Sequence, residues 1–231
     1  MVIGGFRGTS MTDAIFLSAG VPDPKRGPQY AKTADAVAIA AAVSALVYVT
    51  LGRRLVVWGG QPAITPMIWA IAAGLDTDYG KWVRLYQSKH FEEEFPEDNQ
   101  RFNNVVYTDD VGRDREKSLR LMREKMFSDF SFTAVVLIGG MDGIVDEFEM
   151  LRTMQPTATF LPVASTGGGA EVVAKRLDGV PDDLWNDLDY VSLFHRYLKV
   201  SAKESRYREP VQQPNAIADR LWRPGEPKNG S

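Results

Sequence analysis

The 231-residue chain has no cysteine and only two histidines, His90 and His195. The first absence excludes a disulfide framework and thiolate zinc sites. The second leaves no histidine cluster, because the two residues are far apart and share no ligand spacing. No metal and no cofactor are therefore expected. No apolar run reaches the ~20 residues of a membrane-spanning helix. The longest, starting at Ala36, is alanine-rich and lies between Asp35 and Arg53, as a buried core helix would. The opening "MVIGGFRGTSMTD" lacks the apolar core of a secretory signal. A cytoplasmic protein with no membrane partner is expected. A surplus of basic charge is missing too: 27 Lys and Arg stand against 30 Asp and Glu, a net charge of −3. Nucleic acid is thus not an expected partner, since backbone binding needs a basic surface.

What is present is a globular composition, 44% hydrophobic and 25% charged, of a length suited to one domain. Strand-length apolar runs cover 14–19, 54–60, 82–88, 104–109, 133–140 and 158–166. Helical periodicity covers 33–51, 62–75, 114–128, 144–154, 167–177 and 182–198. In the last of these, Leu184, Leu188, Val191 and Leu198 are expected to face inward. The charged stretch "FEEEFPEDNQRFN" reads as a solvated loop. Residues 13–200 form the expected single domain, with an N-terminal extension over 1–12. Residues 201–231 turn polar and proline-rich, and read as a tail or a partner-wrapping arm. Apolar strands alternating with helices predict an α/β fold: a Rossmann-like three-layer sandwich around a mostly parallel sheet.

In such a sheet, ligands sit beyond the carboxyl ends of the strands. Four turns at that edge carry glycine: "SAGVPDP" with Ser18 and Gly20, "WGGQPAITP" with Gly59 and Gly60, "GGMDG" with Gly139, Gly140, Met141, Asp142 and Gly143, and "STGGGAE" with Thr166, Gly167 and Gly168. Glycine permits positive φ and close backbone approach, and a helix start offers free N–H groups to an anion. Tight strand–helix packing uses glycine equally well. Together the four turns favour a phosphate-bearing ligand. None is a P-loop, and none is a clean GxGxxG.

Acidic residues crowd the same place. Asp146 and Glu149 suit the positive end of a helix dipole. Glu147 suits a ribose, whose hydroxyls donate to a carboxylate. It would also stabilise an oxocarbenium-like transition state. Upstream, Arg120 and Arg123 are i,i+3 neighbours on one helix. They serve either a solvated basic face or a bidentate phosphate contact.

"IGGMDGIVDEFEM" resembles the PGGxGTxxE motif of the LOG-like nucleoside-monophosphate phosphoribohydrolases, and "LVVWGGQPAITPM" their earlier glycine-rich segment. Together with "FLSAGVPDP", "SLRLMREKM" and "PVASTGGGAE", these segments are more similar to the wider SLOG superfamily, which joins LOG and DprA-type proteins. The likeness is closest to the SLOG domains of bacterial conflict systems, some of which recognise NAD-derived signals. The resemblance implies a nucleotide or NAD-derived ligand, a homodimer, and a catalytic pair if the chain is an enzyme. Glu147 matches the motif's acid. Arg123 matches its arginine through "MREKM", with Arg120 as the fallback. Ile138 and Ile144 replace the motif's Pro and Thr, one residue is inserted in the turn, and Gln61 and Pro62 interrupt the earlier glycine run. The expected function is therefore to bind a phosphorylated ribosyl nucleotide as a sensor or sequestering protein. LOG-like cleavage of the base–ribose bond is the alternative, and DprA-like nucleic-acid binding a second.

Overall fold

The structure, a computed structural model, describes residues 14–75, 77–95, 97, 99 and 102–223. The expected N-terminal extension and residues 224–231 of the expected tail lie outside them. The strands are β1 (Ala14–Gly20), β2 (Leu55–Trp58), β3 (Val83–Ser88), β4 (Val105–Thr108), β5 (Phe132–Gly139) and β6 (Thr159–Val163). They form one six-stranded sheet in the order β4-β3-β2-β1-β5-β6. Every pairing is parallel. The α/β Rossmann-like sandwich is thus the observed fold.

The helices are α1 (Pro28–Ala31), α2 (Ala36–Thr50), α3 (Thr65–Ala72), α4 (Tyr79–Trp82), α5 (Arg115–Ser128), α6 (Asp142–Met154), α7 (Gly168–Ala174), α8 (Asp182–Asn186) and α9 (Tyr190–Tyr197). Local chemistry fixes several of their starts. Asp35 caps α2 by accepting from the N–H groups of Val37 and Ala38, and Asp114 caps α5 in the same way.

All seven residues of β1 are buried. Its side chains alternate between two cores. Ile15, Leu17 and Ala19 join a cluster with Ile39, Val43 and Leu46 of α2. Ala14 and Phe16 join Met126, Phe127 and Phe148 on the opposite face. Burial on both faces explains why the strands read as continuous apolar runs. Pro162 sits in β6, an edge strand, where its missing N–H costs no ladder bond.

Two expectations need correction. The helix expected over 182–198 is broken into α8 and α9, and Asp189 caps the second by accepting from Ser192 N. The break shifts the helical phase. Leu184 is buried, but Leu188 is 68% exposed and Val191 37%. Leu193 and Phe194 fill the core in their place. The segment after Ser201 is also no free arm over its described length. Glu204 is buried and accepts two hydrogen bonds from Arg54, at 2.6 and 3.1 Å. Tyr207 N–H donates to Gly52 O, and Trp82 Nε1 donates to Tyr207 O. Arg206 and Gln213 donate to the carbonyls of Leu51 and Arg53. The segment therefore covers the entry to β2, at the edge of the sheet opposite the glycine turns.

Glu204→Ala removes the carboxylate from a buried guanidinium that cannot deprotonate. It is expected to lower unfolding free energy by about 3–5 kcal/mol. Urea denaturation of the two proteins measures the difference.

Candidate functional site

β1 is flanked by β2 on one side and β5 on the other, so the connections leaving them run in opposite directions. Parallel sheets open a crevice at such a switch point. The structure has a cleft of about 770 Å³ there, beyond the carboxyl ends of β1, β2, β3 and β5. That volume lies within the usual range for small-molecule sites.

The wall on the β5 side is made by glycine. Gly139 and Gly140 have φ of 56° and 71°. Gly140 N–H donates to Gly20 O at 2.6 Å, and a Cβ on Gly139 would lie 2.6 Å from that same oxygen. This contact ties the end of β1 to the turn before α6. It brings Ser18 and Glu147, in the second turn of α6, face to face. Ser18 Oγ donates to Glu147 Oε2 at 2.5 Å. Arg123 enters from α5 and is 8% exposed. Its Nε donates to Glu147 Oε1 at 3.3 Å, its Nη1 to Asp146 at 3.4 Å and its Nη2 to Gly143 O at 3.3 Å. Both Glu147 oxygens thus accept hydrogen bonds, which fixes the plane of the carboxylate.

Among the expected site residues, Ser18, Gly20, Gly59 and Gly60 line the cleft from the β1 and β2 turns. Gly140, Met141, Gly143 and Glu147 line it from the β5 turn and α6, and Arg123 from α5. Six expected residues do not line it. Arg120 points to solvent and pairs with Glu124. Asp142 accepts a short hydrogen bond from the Tyr30 hydroxyl, which ties the α6 start to α1. Thr166 is buried; its hydroxyl accepts from Gly139 N and donates to Val163 O. Gly167 and Gly168 make backbone contacts: a Cβ on either would collide with Thr33 O or Gly140 O. The "STGGG" turn therefore packs under the cleft. Gly139 itself is packed against Ile39.

The N–H groups of Gly139 and Gly140 are also spent, on Thr166 Oγ1 and Gly20 O. An anion would have to use the first turn of α6, where the N-cap is Met141 and no side chain caps the helix.

Several lining residues escaped the sequence reading. Arg26 stands at the rim, and its side chain has no ion pair among the described residues. Gln61, Gln87, Ser88, His90, Phe91, Phe95 and Arg115 also line the cleft. Five of them end or follow β3, and the stretch expected as a solvated loop begins there as a 3-10 helix, Lys89–Glu94. His90 Nδ1 lies 2.8 Å from Asp110 Oδ1 and anchors it. That hydrogen bond, helped by Ser118, holds the Asp110 carboxyl below its usual range. The missed signal was position: these residues follow a strand's carboxyl end, as the glycine turns do.

Among the described residues no group of three His, Asp or Glu side chains is placed to hold a metal ion. No helix among them is long and apolar enough to cross a membrane.

A doubly wound parallel sheet with a cleft at its switch point defines a Rossmann-like domain. The chain belongs to the SLOG cluster3 family, whose model matches residues 29–198. No curated protein matches it.

Donation to Asp142, with burial adding to it, pushes the Tyr30 hydroxyl from 10.0 up to about 12. A raised pKa means the contact stabilises the fold fully below pH 10 and loses that contribution as pH rises through about 12. In Asp142→Asn the Tyr30 titration is expected to fall back towards 10, read from tyrosinate absorbance against a Tyr30→Phe control.

Proposed function

We propose that the cleft binds a phosphorylated ribosyl nucleotide, an NAD-derived or cyclic nucleotide signal. The protein then serves as a sensor or sequestering protein in bacterial defence or signalling. One observation carries this reading: the Glu147 carboxylate is oriented by Ser18 and Arg123, beside the uncapped first turn of α6. The carboxylate accepts the ribose hydroxyls. The α6 N–H groups take phosphate. Arg123 contributes to both. Its three contacts are all 3.3–3.4 Å, at the long end for charged hydrogen bonds. A phosphate offering shorter, bidentate bonds competes well for it.

The second reading is hydrolysis of the base–ribose bond, with Glu147 stabilising the developing cation and Arg123 holding the phosphate. The proximity of these two groups inside one cleft favours it. Calorimetry with nucleoside monophosphates, NAD and cyclic ADP-ribose species, with base release followed by chromatography, separates the two. Arg123→Ala is expected to weaken binding by about ten- to a hundredfold, the worth of a charged hydrogen bond. Tight binding with the ligand recovered intact supports the sensor. Base release that is lost in Glu147→Gln supports the enzyme. No binding by any member of the panel overturns both.

We also propose a homodimer joined through Leu188 and Val191, the apolar side chains that the α8–α9 break leaves outside. Light scattering should report a dimer for the native chain and a monomer for Leu188→Asp.

A further inference from the structure

The cleft extends well past the Glu147 end. β3 lies two strands from β1, about 10 Å at the usual strand spacing. The wall there differs in chemistry from the wall at α6. Phe91 and Phe95 line it from the segment after β3, and both are half-buried. Neither belongs to, nor packs against, either hydrophobic cluster. Their apolar area is thus not taken up by the fold's cores. The Arg115 guanidinium lies 6.0 Å from the centroid of the Phe91 ring, and His90 meets that ring edge-on at 4.8 Å. These neighbours hold the ring in place.

Between the two ends stands Gln61. Gly60 O, immediately before it, accepts from Gln87 Nε2 of β3. Its own Cδ lies 4.0 Å from where a Cβ on Gly20 would be. Gln61 therefore bridges the β1 turn and the β3 end. Its Oε1 is buried and has no hydrogen-bond partner. An unpaired buried acceptor costs free energy that a ligand's donor recovers.

We propose that this end of the cleft is a nucleobase subsite. Phe91 is the stacking wall, and Gln61 is the polar reader. The subsite rests on the phosphoribosyl reading of the Glu147 end and specifies it further. The ligand carries an aromatic base with an exocyclic amino group, an adenine nucleotide rather than a sugar phosphate alone. A glutamine amide matches adenine because it accepts from the amino group and donates to a ring nitrogen. Stacking supplies most of the affinity, and the amide supplies the choice of base.

Calorimetric titration with AMP, IMP and ribose 5-phosphate tests the subsite. In the native protein AMP is expected to bind at least tenfold tighter than ribose 5-phosphate, and tighter than IMP. Phe91→Ala should weaken AMP about tenfold and leave ribose 5-phosphate unchanged, while Phe91→Trp keeps AMP binding. Gln61→Leu should erase the preference for AMP over IMP. If AMP and ribose 5-phosphate bind equally, the subsite is refuted while the phosphoribosyl reading stands. Equal weakening of both probes by Phe91→Ala refutes it too, because the effect is then structural. If neither probe binds the native chain, both readings fall.

Discussion

The close approach of β1 to the turn after β5 is the constraint from which the rest follows. Gly20 pairs in register with Gly139, and Gly20 O accepts the next N–H, from Gly140. A side chain on Gly139 does not fit at the contact, because its Cβ would lie 2.6 Å from Gly20 O. β1 is thereby locked to β5 on one side and β2 on the other. The crevice opens where their connections part. The contact sets where α6 begins, and the start of α6 sets where Glu147 meets Ser18 and Arg123. From Gly168 below, the chain comes close enough to Gly140 O to exclude a side chain there as well. The site is therefore built on backbone packed against backbone, which leaves little freedom for its geometry to drift.

The concentration of acids at the start of α6, where an anion is proposed to bind, resolves once their partners are known. Asp142 is committed to Tyr30, and Glu149 to Arg176 on the outer face. Asp146 is 55% exposed and touches only the far end of Arg123. Glu147 alone among the four lines the cleft. Of these four acids the cleft itself is thus lined by one carboxylate, which is paired with Arg123. Such an arrangement tolerates an anion and a sugar side by side.

The sheet was legible because its central strands are buried on both faces and apolar throughout, in runs shorter than the equally apolar α2. β5 and α6 were expected at nearly their observed positions. The glycine turns were legible as turns, but glycine is required both where a ligand approaches the backbone and where another backbone does. Nothing local separates Gly59 on the cleft wall from Gly167 packed on Thr33. The wall after β3 went unread because it has no glycine and is rich in Glu, although Phe91 and Phe95 are spaced at one helical turn. Leu188 was misplaced because the chain leaves the helix at Asp187 and starts a new one after Asp189, whose carboxylate caps it. Residues beyond Ser201 looked like a tail because the partners of Glu204 lie about 150 positions earlier, and no short-range pattern reports a contact of that span.

That span has a consequence for how the molecule is made. Arg54 opens β2, near the start of the chain, and Glu204 reaches it only near the end. Translation proceeds from the amino end, so the residues of β2 leave the ribosome well before the carboxylate that completes their surroundings. The same late segment supplies the carbonyl that accepts from Trp82 and the Arg206 guanidinium over the Tyr48 ring. The surroundings of β2 are therefore completed only after all six strands have been made. A ribosome that stalls or stops before residue 204 releases a chain whose sheet lacks its closing clasp, with Arg54 and Trp82 deprived of the partners meant to cover them. Such a product offers exposed apolar surface to quality control.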